Sequence, residues 1–318
     1  MSDAKGMPNN PDYRVLLPEW EGGEPLFKLS EQQRKSILGG KPHRVAPQDK
    51  SVPVHERAST CEALLAVYPD AISVGSVMGT GPERGDVGFG GWVILAVSIF
   101  ALWVSIYSIF FGHTIDWAIS LPAFLFFSAG SFHLLKSRYY LPKDQPILFN
   151  RKTQQVTFSQ IRFHPFWKFW VMPGFEAPVT VPWEAVQARS YKFVQFMGET
   201  VRDSYRLELW ASSADDPKIP CARAAIGYLG WYEDEQLWRL YEHIRRYMEE
   251  DGPAIQPGEA LRKPKKGRDL IAFPEEVLAT LGGPALSEEQ VEALAHVPPP
   301  PPQARDATRT SFLPPRKG

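Results

Sequence analysis

The chain has 318 residues, 44% hydrophobic and 22% charged, with a formal net charge of -1. That length permits one large domain or two small ones around a substantial core. The near-neutral charge argues against a dedicated nucleic-acid binder, and two cysteines can build neither a disulfide scaffold nor a cysteine-rich zinc or iron–sulfur site.

Residues 1–90 form a cytoplasmic N-terminal segment of mixed character, because Pro-, Gly- and charge-rich stretches at Glu19 to Pro25 and Leu38 to Arg57 have loop composition. Ser59 to Val77 is its best-ordered piece, predicted as a short helix followed by a strand that adds to the sheet of a later domain. MSDAKGMPNNPDYR lacks an apolar core region, so no cleaved signal peptide is expected.

Residues 91–136 carry the strongest signal. Trp92 to Phe111 and Trp117 to Leu135 are free of acidic and basic residues apart from His133, and each is long enough as a helix to span about 30 Å of hydrocarbon. The polar break Gly112 to Asp116 is short, so the two spans must form an antiparallel hairpin. Each begins with Trp, an interfacial residue. Ala101, Ser105, Ser128, Ala129, Gly130 and Ser131 are small enough for close helix contact, and Pro122 is placed early in the second helix. Lys136, Arg138, Lys143 and Arg84 flank one end of the hairpin while the turn carries no Lys or Arg, so both termini are expected in the cytoplasm of a bacterium, with a multi-pass anchor in its inner membrane. Cys61 and Cys221 would then be ordinary thiols in a reducing compartment. His133 is an interfacial hydrogen-bonding residue near the basic flank.

Residues 146–250 are predicted as a β-rich domain closed by a helix. Strand candidates are Ile147 to Phe149, Val156 to Phe158, Ile161 to Phe166, Val179 to Val181, Val186 to Phe196, Ser204 to Trp210 and Lys218 to Arg223. In the closing segment Leu237, Leu240, Tyr241, Ile244 and Met248 recur at helical spacing, and Glu233, Asp234 and Glu235 crowd its first turn. A run of short strands before one amphipathic helix predicts an open barrel or sandwich plugged by that helix, so the fold class is an α+β membrane protein.

Residues 251–318 are predicted as a mostly disordered tail, with one short helix at 287–296 started by a capping box of Ser287 and Gln290. Pro298 to Pro302 is extended.

Short strands, the turn Val181-Pro182-Trp183-Glu184-Ala185-Val186 and a terminal helix resemble bacterial PH-like domains, which occur behind paired transmembrane helices in uncharacterised membrane proteins. Such two-helix chains with long extensions also resemble accessory or immunity proteins of type VI-like toxin-secretion loci. The resemblance implies a protein partner, a toxin or an envelope component, and carries over no functional residue.

Two segments stand out as interaction sites. His164 to Phe175 holds Phe166, Trp167, Phe169, Trp170 and Phe175 around a single Lys168. As a strand it presents aromatics on both faces, so one face packs on a partner or the membrane interface. Arg262, Lys263, Lys265, Lys266 and Arg268 form a basic run suited to anionic headgroups, with no interleaved aromatics for nucleic acid. Gly79 to Gly85 (GTGPERG) lacks the Lys-Ser/Thr of a P-loop, and neither a nucleophile–base pair nor a metal constellation can be read, so no catalytic residue, metal or cofactor is assigned. The function expected is a membrane-anchored, non-enzymatic binding module. The alternatives are a lipid-binding or envelope-sensing scaffold and, third, an enzyme acting at the membrane surface.

Overall fold

The computed structural model describes residues 14–31, 40–76, 82–112, 114–140, 145–162, 168, 170–172, 174–196, 201–227, 233–262 and 273–296. Two long helices, α1 (Pro82–Phe111) and α2 (Thr114–Tyr140), pack on each other as an antiparallel hairpin. Within them Gly88–Phe111 and Ala118–Lys136 are long and apolar enough to cross a membrane, and only 17% of each apolar window is buried. Phe100, Trp103, Ile109, Phe110, Ile119 and Phe126 all point outward.

Hydroxyls line the seam between the helices. Ser98 bonds the Ser128 hydroxyl, Ser105 donates to Ser120 at 2.7 Å, and Ser131 donates to the Gly91 carbonyl at 2.8 Å. Gly91 allows this approach, since a Cβ there would stand 2.9 Å from Leu135. The small residues Ser105, Ser128, Ala129 and Ser131 therefore do lie at the contact. Pro122 differs from expectation: α2 starts at Thr114, so the proline lies inside the helix and its missing N–H removes an intrahelical bond.

Nine strands make one antiparallel sheet: β1 (Arg44–Val45), β2 (Leu64–Val67), β3 (Ala71–Ser76), β4 (Gln145–Asn150), β5 (Gln155–Arg162), β6 (Gly174–Pro182), β7 (Val186–Phe196), β8 (Val201–Ser212) and β9 (Pro220–Ile226). The spatial order is β1-β7-β8-β9-β3-β4-β5-β6, with β2 beside β3. The sheet is open, with β1 and β6 at its edges, rather than a closed barrel. Pro178 sits in edge strand β6 opposite a register shift between Phe158 and Gln160, where a missing donor costs little.

The N-terminal segment departs most from expectation. Ser59 to Val77 contains the hairpin β2–β3 in place of a helix and strand, and β3 is a central strand, fully buried and paired along its whole length with β4. The unit predicted as 146–250 is therefore incomplete without residues from before the hairpin. Ile161 and Arg162 continue β5 and pair with Phe175 and Gly174 instead of starting a separate strand, and 163–167 lie outside the described residues.

One face of the sheet is covered by α3 (Asp234–Glu249). Its Leu237, Trp238, Leu240, Tyr241, Ile244, Tyr247 and Met248 are all buried against Ile72, Val74, Ile147, Phe149, Val156, Phe158, Trp183, Leu207 and Leu209. The predicted amphipathic stripe thus seats the helix on the apolar face of the sheet. Residues 43–57 clasp the exposed side of this helix. Arg44 bonds Asp234 at 2.7 Å, the Val54 amide donates to Glu242 at 3.0 Å, and Arg245 donates to Glu242 and to the Lys50 carbonyl.

The segment after α3 is packed as well, a correction to the predicted tail. Ile255 and Leu281 are buried, as are Val291 and Ala295 on α5 (Glu288–His296), and a short α4 (Glu275–Ala279) lies between. The capping box forms as predicted: the Gln290 amide donates to the Ser287 hydroxyl and the Ser287 amide donates to the Gln290 side chain. Residues 297–318 lie outside the described residues.

His243 joins α3 to this segment, with Gln256 Nε2 at 3.0 Å from its Nδ1. Burial pushes its pKa down from 6.5 to about 4, against the opposing pull of Glu259, with Arg246 adding to the depression. The folded state therefore takes up this proton less readily than the unfolded chain, so the protein loses stability as pH falls from about 6.5 to about 4. Urea unfolding followed by circular dichroism in detergent is expected to show a falling midpoint across that window, and a H243Q variant is expected to flatten it.

Candidate functional site

Alternation along the strands sends one set of side chains to α3 and the other to the opposite face. On β8, Leu207, Leu209 and Ala211 enter the core, while Arg206, Glu208 and Trp210 face away from it. Register stacks this second set into rows: Gln187, Trp210 and Arg223 in one, Arg189, Glu208 and Ala225 in the next, and Tyr191 with Arg206 in the third. The result is a sheet face built of charge and aromatic surface.

The N-terminal residues 24–29 lie over part of this face. Phe27 stacks on Trp210 with ring centroids 5.4 Å apart, and the Lys28 amide donates to the Lys218 carbonyl at 2.8 Å. Arg189 is fully buried beneath them. Its guanidinium donates to Glu24 at 2.6 Å and to Gln187 at 2.5 Å, and it lies 4.7 Å from the Trp210 ring and 5.0 Å from Phe27. Arg223 is 5.2 Å from the same Trp210 ring. Trp210 thus carries two guanidinium contacts, each an attraction of order 1 kcal/mol. Burial pushes the hydroxyl of the neighbouring Tyr191 up to about 12.

Beside Leu29, a cavity of about 500 Å³ opens between β8–β9 and β5. Arg206, Glu208, Trp210, Cys221 and Arg223 line one side, and Ser159, Gln160, Gln145 and Ser76 the other. Ser76 is the last residue of the strand before the helical hairpin and Gln145 the first residue of the strand after it, and they pair directly. The cavity is therefore a notch past the ends of β3 and β4, at the foot of the two apolar helices.

Glu208 is spent within the site: one oxygen is 2.5 Å from Arg206 and the other accepts the Trp210 indole N–H at 2.8 Å. Among the described residues Arg223 has no ion-pair partner, so the lining carries one uncompensated positive charge. Burial raises the Cys221 thiol, which keeps it protonated near neutral pH. Among the described residues no cluster of His, Cys, Asp and Glu is arranged to hold a metal. The chemistry available in the cavity is recognition by guanidinium, indole and amide groups.

The residues singled out from sequence fare unevenly. Trp170 and Phe175 are exposed, and the Val171 carbonyl accepts a 2.8 Å hydrogen bond from Lys136 Nζ, which sets the 170–172 segment beside the end of α2. Phe166, Trp167 and Phe169 lie outside the described residues. Arg262 is buried and not a headgroup-facing cation: its Nε donates to the Glu62 carbonyl, its amide donates to the Leu64 carbonyl, and its guanidinium lies where a Cβ on Gly75 would stand. Lys263, Lys265, Lys266 and Arg268 lie outside the described residues. Sequence inspection missed Arg206, Glu208, Trp210 and Arg223. The signal was present in Arg-Leu-Glu-Leu-Trp, where strict alternation puts charge on the second face of a strand whose first face is core.

Removing Glu24 leaves the Arg189 guanidinium buried without its carboxylate partner, a change that costs about 3 kcal/mol. E24A is expected to lower the unfolding midpoint and to make residues 20–31 newly sensitive to limited proteolysis, read by mass spectrometry, while E19A leaves both unchanged.

The chain matches a protein family described only as a family of unknown function, DUF6708, over residues 123–273, less than half of its length. No curated protein and no solved structure matches it. The matched stretch runs from within α2 through β4–β9 and α3 to Phe273, so it takes in the β5, β8 and β9 walls of the cavity, and the similarity to DUF6708 is to a group without an assigned activity.

Proposed function

We infer that the protein is a membrane-anchored, non-enzymatic binding module whose sheet domain is held on the cytoplasmic face of a bacterial inner membrane. The observation that carries this is the insertion of two outward-facing apolar helices between a pair of adjacent strands. A core helix of a soluble protein buries its apolar side chains, whereas Phe110, Ile119 and Phe126 here are each more than 60% exposed. In the sequence Arg84 precedes the first apolar span and Lys136, Arg138 and Lys143 follow the second, while the turn between the spans carries no Lys or Arg, so the positive-inside rule puts the domain and both termini in the cytoplasm. The domain plays the part of the PH-like unit that the sequence resembles, with α3 as its closing helix.

Anchoring restricts the domain to a layer at the bilayer surface and raises its effective concentration toward partners there. Trp170, Met172 and Phe175, exposed beside the end of α2, supply the apolar contact for a membrane-associated partner protein. Toxin or envelope components are the partner classes to test first, following the resemblance to accessory and immunity proteins. A second arrangement, a lipid-responsive scaffold, draws support from the cavity opening at the helix feet.

Ser76 and Gln145 are directly paired, which sets their Cα atoms about 5 Å apart, a gap that a two-residue turn closes. Replacing residues 77–144 by Asn-Gly is therefore expected to turn β3–β4 into an ordinary hairpin and to yield a protein soluble without detergent. The full chain is expected to stay in the pellet after alkaline carbonate extraction. Its release into the supernatant would sink the anchored reading. The double variant W170A/F175A is expected to remain in the membrane while losing at least half of the partner protein retained by wild type in mild detergent.

A further inference from the structure

We propose that the notch beneath the helices is a binding site for a phosphate ester, with Arg223 as the group that receives the oxyanion. The proposal deepens the binding-module function by naming what the domain's own cavity takes.

The charge distribution points to an anion. Both Glu208 oxygens are engaged by Arg206 and Trp210, so the single carboxylate in the lining is neutralised from within. Arg223 lies at the mouth, exposed and without an ion-pair partner among the described residues. Its contact with the Trp210 ring holds the planar guanidinium in place at its face and leaves the N–H edges available, the geometry by which arginine takes phosphate bidentately. Trp210 is itself held by Phe27 and Arg189, so the platform under Arg223 is rigid before any ligand arrives.

The remaining walls fit the rest of an ester. Gln160 brings an amide to the far side, while Leu29 and Pro220 add apolar surface. A volume of about 500 Å³ is too large for an inorganic ion alone and within the range of small-molecule sites. Ser76 and Gln145 at the rim connect directly to the segments leading into α1 and α2, so the phosphate has two possible sources, a soluble phosphate ester or the headgroup of a lipid beside the helices.

The test is thermal unfolding of the full-length protein in uncharged detergent micelles, with ligand concentration varied to give an apparent Kd. Three additives are compared: inorganic pyrophosphate, glycerol 3-phosphate, and phosphatidylglycerol mixed into the micelles against phosphatidylcholine. A rise in Tm with pyrophosphate alone, which is no ester, overturns the ester assignment. A rise with glycerol 3-phosphate identifies a soluble ester. A rise with phosphatidylglycerol alone identifies the lipid source. In both cases R223A is expected to weaken the apparent Kd at least about tenfold, R223K to weaken it less, and R202A, on β8 away from the cavity, to leave it unchanged. No Tm change with any additive, or a change that R223A retains, would overturn the proposal. Because the experiment needs no bilayer, its outcome is independent of carbonate extraction, and failure of the site is distinguishable from failure of the anchor.

Discussion

The pairing of β3 with β4 is the constraint on which the rest of the structure depends. Six consecutive residue pairs, from Ala71↔Asn150 to Ser76↔Gln145, are brought together although the whole helical hairpin lies between them in sequence. For a flexible insertion that closure would cost chain entropy growing slowly with length. Here the insertion is a stiff antiparallel pair whose serine-lined seam returns the chain to its point of departure. The helices therefore close the central strand pair from outside the sheet, and the sheet holds the two helix feet together from below. Each half supplies the boundary condition of the other.

From that central pair the two sides of the sheet diverge in character. The side under α3 is nearly all apolar, with Trp183, Trp238 and Tyr241 packed among aliphatic side chains. Burial of this kind is non-directional and sets overall stability. The other side depends on directional contacts: Arg189 is tied to Glu24 and Gln187, and Trp210 to Glu208 and two guanidinium groups. A buried guanidinium adds little net stability against an apolar substitute, but it tolerates few alternative arrangements. Retaining so much of it on one face is easier to understand if that face has to present a defined surface at its uncovered end.

Much of this was legible in the sequence, for identifiable reasons. The helical hairpin announces itself because each of its two apolar runs is long enough to span a bilayer, α3 because its apolar period extends over many residues, and the Ser287–Gln290 cap because its two partners are close in sequence. The central place of β3 was not legible. AISVGS is short, and its burial on both faces comes from β4, α3 and the distant Arg262, none of which a local pattern encodes. Arg262 shows the same limit from the other side. Read with Lys263, Lys265, Lys266 and Arg268 it belongs to a solvated basic run, yet Gly75 leaves room for its guanidinium beside β3, and two carbonyls of the β2 region accept its donors. The cavity residues were hidden for a related reason: Arg206, Glu208 and Trp210 come from one strand, but their meaning depends on Arg223 across the register and on Leu29 far away in sequence.

Position within the fold ties the polar face to the helices. β3 runs toward α1, and the antiparallel register of Ser76 with Ile226 sends the earlier residues of β9, including Arg223 and Cys221, past the end of β3 toward the helices. On the other flank β5 runs the same way, past Gln145, to the turn region whose Val171 carbonyl meets Lys136 at the end of α2. Two strands thus overshoot the central pair on either side of the point where the chain leaves for the helices and returns. The gap between them is the cavity. The architecture that fixes the helices to the sheet thus also leaves the pocket past the ends of the central strands.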